Sequence, residues 1–505
     1  MIPSGKRITV VSGSSGMGLA SAPAAARDEA NVVIASGSKD RVDALAALPT
    51  GTEGHVLDLP TAMPSRRLSP GFLTAWSSQM NNNDRPTAGG GIFGGIDRRA
   101  FLLALGTFAI GTDAFIIAGV LPEISTSLST SVGATGLVVS VFSLAYALGS
   151  PVVSSLSARW RRSTVLIGGL GVFALANLLS AASPTLVILL ASRILAALSA
   201  GLVAPASYAL ASAFGASHNR GKNLAVIAAG FTSAMVLGVP IGVFLSQYGG
   251  WRASLLFVAV LGAIAAISMS WAGVPESQSQ KAAPTLRDQL RVAVKAQTIL
   301  ALAPFLIWSI ANFGLYTFIA AILRRSLPAT VVPLLLLLFG LGAVAGNFMG
   351  GVASDRFGTR KPTITCLTLL IFALAGIEFT SSSLIAASLN MIAWAILMAA
   401  LFTLQQQRAI LVDPAQSNLL LALNNSALYL GAAIGSAAFG AIISATSFAV
   451  VSPISAGVAA LSLCALFFMP LRDQETPPSP NTDKIDETRV DEPRFGEPLP
   501  RHSLA

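Results

Sequence analysis

"TFAIGTDAFIIAGVLPEI" runs from Thr107 to Ile124, and most of its side chains suit hydrocarbon, with Asp113 set among them. A carboxylate at that position needs a setting, and the composition of the chain supplies one. Of 505 residues, 53% are hydrophobic and 11% charged, against about 25% charged in a soluble globular protein. With a mean hydropathy of +0.70, this is the composition of a polytopic membrane protein. The 45 glycines suit helices packed closely in lipid.

Working outward from Asp113, apolar runs follow one another from Ala100. They fall at 100–121, 132–156, 163–182, 185–213, 222–246, 253–273, 297–321, 330–353, 362–380, 384–404, 418–445 and 449–470. A ~30 Å hydrocarbon core takes about 20 helical residues to cross. Backbone polar groups in lipid must be satisfied internally, so these twelve runs are expected to be helices. The most polar interruption, 274–296, divides them into bundles at 98–273 and 297–472.

The net charge of +9 lies largely in alternate loops. Arg98 and Arg99 precede the first run, and Arg159, Arg161 and Arg162 follow the second. Arg220 and Lys222 follow the fourth, and Arg356, Arg360 and Lys361 the eighth. That bias places both termini in the cytoplasm of a multi-pass plasma (bacterial inner) membrane protein. Arg252, Arg324 and Arg325 are exceptions in the opposite loops. The basic residues form no nucleic-acid face. Two cysteines in apolar runs and three scattered histidines predict neither a disulfide framework nor a metal site.

The halves echo each other in the loop after their second run: "SSLSARWRRS" and "GGVASDRFGTRK". The latter, with Gly351, Asp355, Arg356, Gly358, Arg360 and Lys361, resembles the loop signature of the major facilitator superfamily. In the first copy Ser154, Ala158 and Arg161 replace the Gly, Asp and second Gly, while Arg159 and Arg162 remain. Asp355 is expected to accept hydrogen bonds at a neighbouring helix N-terminus, and its basic neighbours to meet carboxylates or lipid phosphates.

In "AGFTSAMVLGVPIGVFLSQYGGWR", Gly230, Ala234, Gly238, Gly242, Ser246 and Gly250 recur every four residues. This strip of small side chains lets another backbone approach, and Pro240 removes a helix hydrogen bond and bends the segment. It resembles the antiporter signature of drug–proton exchangers, with Val239 inserted before Pro240. In "ASRILAALSAGLVAPASYAL", Arg193 resembles the superfamily's buried fourth-helix arginine. From about Arg98 to Arg472 the chain is similar to the chloramphenicol-resistance and arabinose-efflux-like branch. The resemblance implies an all-α fold of twelve transmembrane helices in two six-helix pseudo-repeats. It further implies alternating access, with small amphipathic drugs or sugars exported against protons.

Asp113 lies about 14 residues from the cytoplasmic end of its run, roughly 21 Å deep. Arg193 lies about nine residues, roughly 14 Å, from the opposite face. In a ~30 Å core their depths differ by about one turn. An arginine at a helix centre costs at least about 2.5 kcal/mol, so both side chains are expected to face the central cavity. Burial and a nearby cation act oppositely on a carboxyl's hold on its proton. Asp113 is therefore the candidate proton-coupling acid and Arg193 its partner or switch; the alternative is an ion pair that only locks two helices. Asn312, Asn390, Asn424 and Asn425 are candidates for the substrate cavity, equally suited to joining helices. Gln405 to Gln407 are expected near the cytoplasmic surface.

Residues 1–59 differ. "RITVVSGSSGMGLA" is a strand followed by Gly13, Gly16 and Gly18, with further strands expected at "ANVVIAS" and "EGHVLDL". The piece resembles the opening of a short-chain dehydrogenase, which implies dinucleotide contacts at those glycines and at Asp58. No Tyr-x-x-x-Lys follows before the apolar runs begin. A vestigial Rossmann-like fragment is expected, from gene fusion or an early start, with Met63 and Met80 as alternative starts. Residues 60–97 are expected to be a linker and 473–505 a disordered cytoplasmic tail.

The expected protein is a monomeric secondary transporter, not an enzyme, working without a cofactor on a small molecule and protons within membrane lipid. The rivals are a sugar uniporter or importer of the same fold, and a membrane-tethered NAD(P)-dependent reductase.

Overall fold

The computed structural model describes residues 7–11, 31–36, 52–56, 96–157, 160–213, 220–273, 286–413 and 416–467. Two units divide the chain, Met1–Gly91 and Ile92–Ala505. In the first, β1 (Arg7–Val11), β2 (Asn31–Ser36) and β3 (Thr52–Val56) form a parallel sheet in the order β1-β2-β3. Arg7 pairs with Asn31 and Val32 with Thr52. The three expected strands are therefore present. Gly13, Gly16, Gly18, Asp58, Arg159, most of the expected linker and the tail at 473–505 lie outside the described residues.

The second unit is helical. The first half holds α1 (Arg98–Ser127), α2 (Leu137–Leu156), α3 (Arg162–Ala181), α4 (Leu186–Ala213), α5 (Arg220–Ser233) and α6 (Val239–Trp271). Between the halves lies α7 (Leu286–Ala293). The second half holds α8 (Ala296–Thr317), α9 (Val332–Phe357), α10 (Arg360–Thr380), α11 (Leu384–Val412), α12 (Ser417–Ala445) and α13 (Val451–Phe467). Among the described residues, eleven helical stretches are long and apolar enough to cross a membrane. One of them, Arg220–Trp271, covers two expected crossings. It doubles back at Gly250, whose φ of 67° favours a residue without a side chain. The Ser254 hydroxyl donates to the Gly242 carbonyl at 2.7 Å, which a straight helix would forbid.

Three expected boundaries move. The first helix does not stop before Pro122 but continues to Ser127, carrying Glu123 with it. The seventh breaks at Phe318, and Ile319–Leu323 forms a separate short turn. The loop at 274–296 contains α7, whose Val292 is buried with Ala409, Leu419 and Leu420. α7 also packs on α2, so it touches both halves.

Packing repeats between the halves. α1 lies along α6, α2 against α4, and α3 against α6 beyond its bend. The same relations recur as α8 with α12, α9 with α11, and α10 with α13. The halves meet through α2 with α12 and through α9 with the turn Ala234–Gly238 and α6. These reciprocal contacts describe a pseudo-twofold arrangement of two bundles with a seam between them, as internal repetition predicts.

Candidate functional site

Asp113 on α1 and Arg193 on α4 meet directly. Arg193 Nη1 donates to Asp113 Oδ1 at 2.6 Å and to Asn177 Oδ1 of α3 at 3.3 Å. Arg193 Nη2 reaches the Asp113 carbonyl at 3.4 Å. The guanidinium also lies over the Phe142 ring of α2, 4.5 Å from its centroid. Asp113 is 0% exposed and Arg193 1% exposed. Asp113 Oδ2 and Arg193 Nε are buried with no hydrogen-bond partner. The pair is therefore a single contact rather than a closed fork, and each partner keeps one unused position.

The expected orientation of this pair needs correction. Neither residue lines the cavity between the halves. Its wall on α1 is built by Ala114, Phe115 and Ala118, with Ser143 of α2 and Phe231 of α5 beside them. From the second half come Phe313, Tyr316 and Thr317 of α8, Phe402 of α11, and Asn425, Leu428 and Tyr429 of α12. The space between these walls is about 560 Å³, open solvent at its mouth included. Asp113 turns the other way, into the first bundle, where α3 and α4 supply polar partners and exclude both lipid and water.

Of the four asparagines, Asn425 lines the cavity and its side chain reaches the Tyr146 hydroxyl. Asn312 is buried in the second bundle and accepts a 2.6 Å bond from Trp394 Nε1. Asn390 joins α11 to α10, donating to the Ala373 carbonyl at 3.2 Å and the Thr380 hydroxyl at 2.9 Å. Asn424 is buried with its side-chain carbonyl unpaired. Asn312 and Asn390 lie off the cavity wall because their partners are neighbouring helices of their own bundle, and Asn424 is not part of that wall. Gln405 is buried and donates to the Ala301 carbonyl at 3.1 Å, tying α11 to α8.

The small-residue strip follows α1 for most of its length. A Cβ at Gly230 would overlap the Ala104 carbonyl, at Gly238 Thr112, and at Gly242 Ile116. Ala234 abuts Gly111. Pro240 is buried and follows a π-helical turn, Ala234–Gly238. The widened turn lies where a proline removes the regular hydrogen bond. It presents Met235 and Val236 backbone to Gly340 of α9, across the seam.

In the loop motif, Gly358 has φ 71°, so its glycine answers a left-handed backbone at the end of α9. Asp355, Arg356, Arg360 and Lys361 are exposed. Asp355 makes no hydrogen bond or ion pair with other described residues, contrary to the helix-capping contact expected of it. Arg356 lies over Phe357, 5.4 Å from the ring centroid. Arg162 opens α3. Close packing falls on Gly350 rather than Gly351: Gly342, Gly346 and Gly350 face the backbone of Ile392, Ile396 and Ala400 on α11.

Sequence reasoning missed this second glycine strip and the aromatic wall. Tyr146 and Tyr429 meet across the seam with ring centroids 4.1 Å apart and planes tilted by 34°. Tyr316 meets Phe115 at 6.0 Å and Phe339 at 5.1 Å. The available signal was depth. Tyrosine favours membrane–water interfaces, and Tyr146 and Tyr429 lie far from the ends of their helices.

Comparison with known proteins places these features in context. The sequence pattern that defines the Major Facilitator Superfamily matches residues 103–409 and 322–501. The chain is 32% identical to the inner membrane transport protein YdhP of Escherichia coli K12, over 74% of this chain and 96% of that one. It is 34% identical to a chloramphenicol resistance protein of Streptomyces lividans, over 51% of this chain and 66% of that one. In fold it resembles a crystallised bacterial homologue of the human lysosomal transporter Spinster (TM-score 0.57, 17% identity, 74% and 94% covered). It likewise resembles the nucleoside transporter NupG (TM-score 0.59, 14% identity, 73% and 98% covered). The family match begins beyond the three-stranded unit, and none of these likenesses supports a dehydrogenase origin for it.

Proposed function

Because this chain belongs to the Major Facilitator Superfamily and is a multi-pass membrane transporter, we propose that it exports small amphipathic compounds in exchange for protons. The observation that carries this reading is the buried Asp113–Arg193 pair with its one-sided bonding. A carboxylate with a free oxygen, sealed from water one residue behind the cavity wall, has the chemistry of a proton carrier. Asp113 takes up a proton when the pair loosens and yields it when Arg193 closes on it. Substrate binding and proton binding then compete through α1, whose opposite faces carry Phe115 and Asp113.

The cavity favours a flat or amphipathic solute. Its wall is largely apolar and carries six aromatic rings, with Asn425, Ser143 and Thr317 supplying polar contacts. The likeness to a chloramphenicol resistance protein supports a drug of that kind. The strip at Gly230, Gly238 and Gly242 with Pro240 serves as the close contact on which α1 moves. Asp355, Arg356, Gly358, Arg360 and Lys361, with Arg159 and Arg162, serve as the cytoplasmic gate region. The basic loops support a cytoplasmic position for that end and for both termini, and in this reading the transporter works as a monomer.

Inverted vesicles carrying the protein, an imposed pH gradient, and a panel of antibiotics and sugars test the reading. Uptake of an antibiotic that a protonophore abolishes, and that Asp113→Asn loses, is the expected result. Movement indifferent to the gradient would refute proton exchange, and gradient-independent movement of a sugar would identify a uniporter.

A further inference from the structure

We infer that Glu123 is a second proton-binding site, set at the rim where the two halves close and separate from the Asp113 pair. It stands on α1, ten residues beyond Asp113, which is about 15 Å along a helix and some 80° around it. Asp113 therefore points into its own bundle while Glu123 points across the seam. Glu123 Oε1 accepts from Arg324 Nη1 at 3.1 Å, and Arg324 belongs to the second half. Glu123 Oε2 is buried and has no hydrogen-bond partner.

The surroundings single out this contact. At the same end Gln247 Nε2 donates to the Ala329 carbonyl at 3.2 Å, and the Ser140 hydroxyl to the Ala433 carbonyl at 2.8 Å. Both also join the halves, but neither can titrate. Arg325 is held by Glu378 at 2.7 Å inside the second half. Arg252 donates to the Ser127 hydroxyl and the Ser183 carbonyl inside the first. The Ser246 hydroxyl is the polar neighbour of Glu123 from α6. Among the described residues, Arg324 is thus the charged partner that Glu123 has across the seam.

A proton on Glu123 removes the charge attraction that joins the halves at this rim. Acid on that face therefore loosens the closed arrangement. By linkage, opening frees the carboxylate to take up a proton. In a proton-driven exporter this is where the incoming proton is first captured. That last step rests on the function proposed above; the gate itself does not.

The test reads opening directly. Ser143 lines the cavity, so Ser143→Cys, in a chain with Cys366 and Cys464 changed to Ser, reports access to it. A membrane-impermeant maleimide is applied from the face carrying Glu123, using cells and inverted vesicles to present the two faces in turn. Labelling, divided at each pH by that of the same cysteine in the unfolded chain to remove the thiol's own pH dependence, should rise up to about fivefold from mildly alkaline to mildly acid medium, the population change a partly exposed ion pair carries. Glu123→Gln and Arg324→Gln should each give fast labelling with no pH response. The exchange E123R with R324E should restore the response, and Glu378→Gln should leave it untouched. A pH response that survives in Glu123→Gln overturns the inference. If Asp113→Asn abolishes the response while Glu123→Gln keeps it, the rim site fails and the coupling role of Asp113 stands. The converse result, loss in Glu123→Gln alone, supports the rim site whatever becomes of transport.

Discussion

At the scale of the residue, the Asp113–Arg193 pair is asymmetric in what its loss does. Asp113→Asn leaves a buried guanidinium that cannot shed its charge, and breaking a buried pair costs about 3–5 kcal/mol. Arg193→Gln leaves a carboxyl that can neutralise itself by taking a proton. Asp113→Asn should therefore lower the unfolding temperature in detergent more than Arg193→Gln does, and the double variant should recover much of the loss. Neither single variant nor the double should retain pH-driven export, measured as protonophore-sensitive uptake into inverted vesicles. A second prediction concerns Asn312. Asn312→Leu leaves the buried Trp394 N–H without an acceptor, a loss of about 1–3 kcal/mol visible as a lower thermal midpoint. The juxtaposition of Asp113 with Arg193 was legible in the sequence, because two charges at matching depth in apolar helices have few other partners. Their facing was not. Depth counts residues along a helix, whereas facing depends on which neighbour supplies a polar group, here Asn177. The asparagines teach the same lesson, since amides that join helices and amides that line a cavity look alike in one dimension.

At the scale of the element, glycine strips decide how near two helices lie. The strip on α5 and α6 was legible from its four-residue spacing. The strip Gly342, Gly346, Gly350 has the same spacing, but it overlaps the loop motif, where Gly351 drew the reading away. Substitution should separate contacts with backbone from contacts with flexible tips. Gly230→Ala drives a methyl against the Ala104 carbonyl, whereas Gly242→Ala meets the end of the Ile116 side chain, which can move. Gly230→Ala should cost about 1–3 kcal/mol, the scale of an overpacked core, and Gly242→Ala less. Thermal unfolding in detergent checks the order. The π-helical turn before Pro240 was not legible: proline announces a lost hydrogen bond, not which widened turn absorbs it.

At the scale of the molecule, twelve apolar runs and a basic loop bias were enough to read the architecture, because lipid permits few alternatives to helices. The exceptions to the bias are explained by partners. Arg324 and Arg325 are held by Glu123 and Glu378, and Arg252 lies 4.4 Å over Trp251. The transport unit begins after the three-stranded unit, so a chain starting at Met80 should export at the rate of the full chain in the same vesicle assay. Slower export by that shortened chain would assign the strands a part in transport. The seam has one further property. Where Gly340 meets Met235 and Val236, main chain rests on main chain, and a methyl added at Gly340 would strike that backbone. In the alternating cycle proposed above, such a contact offers little to hold one half against the other, which leaves the tempo of the change to the molecule's edges rather than its axle.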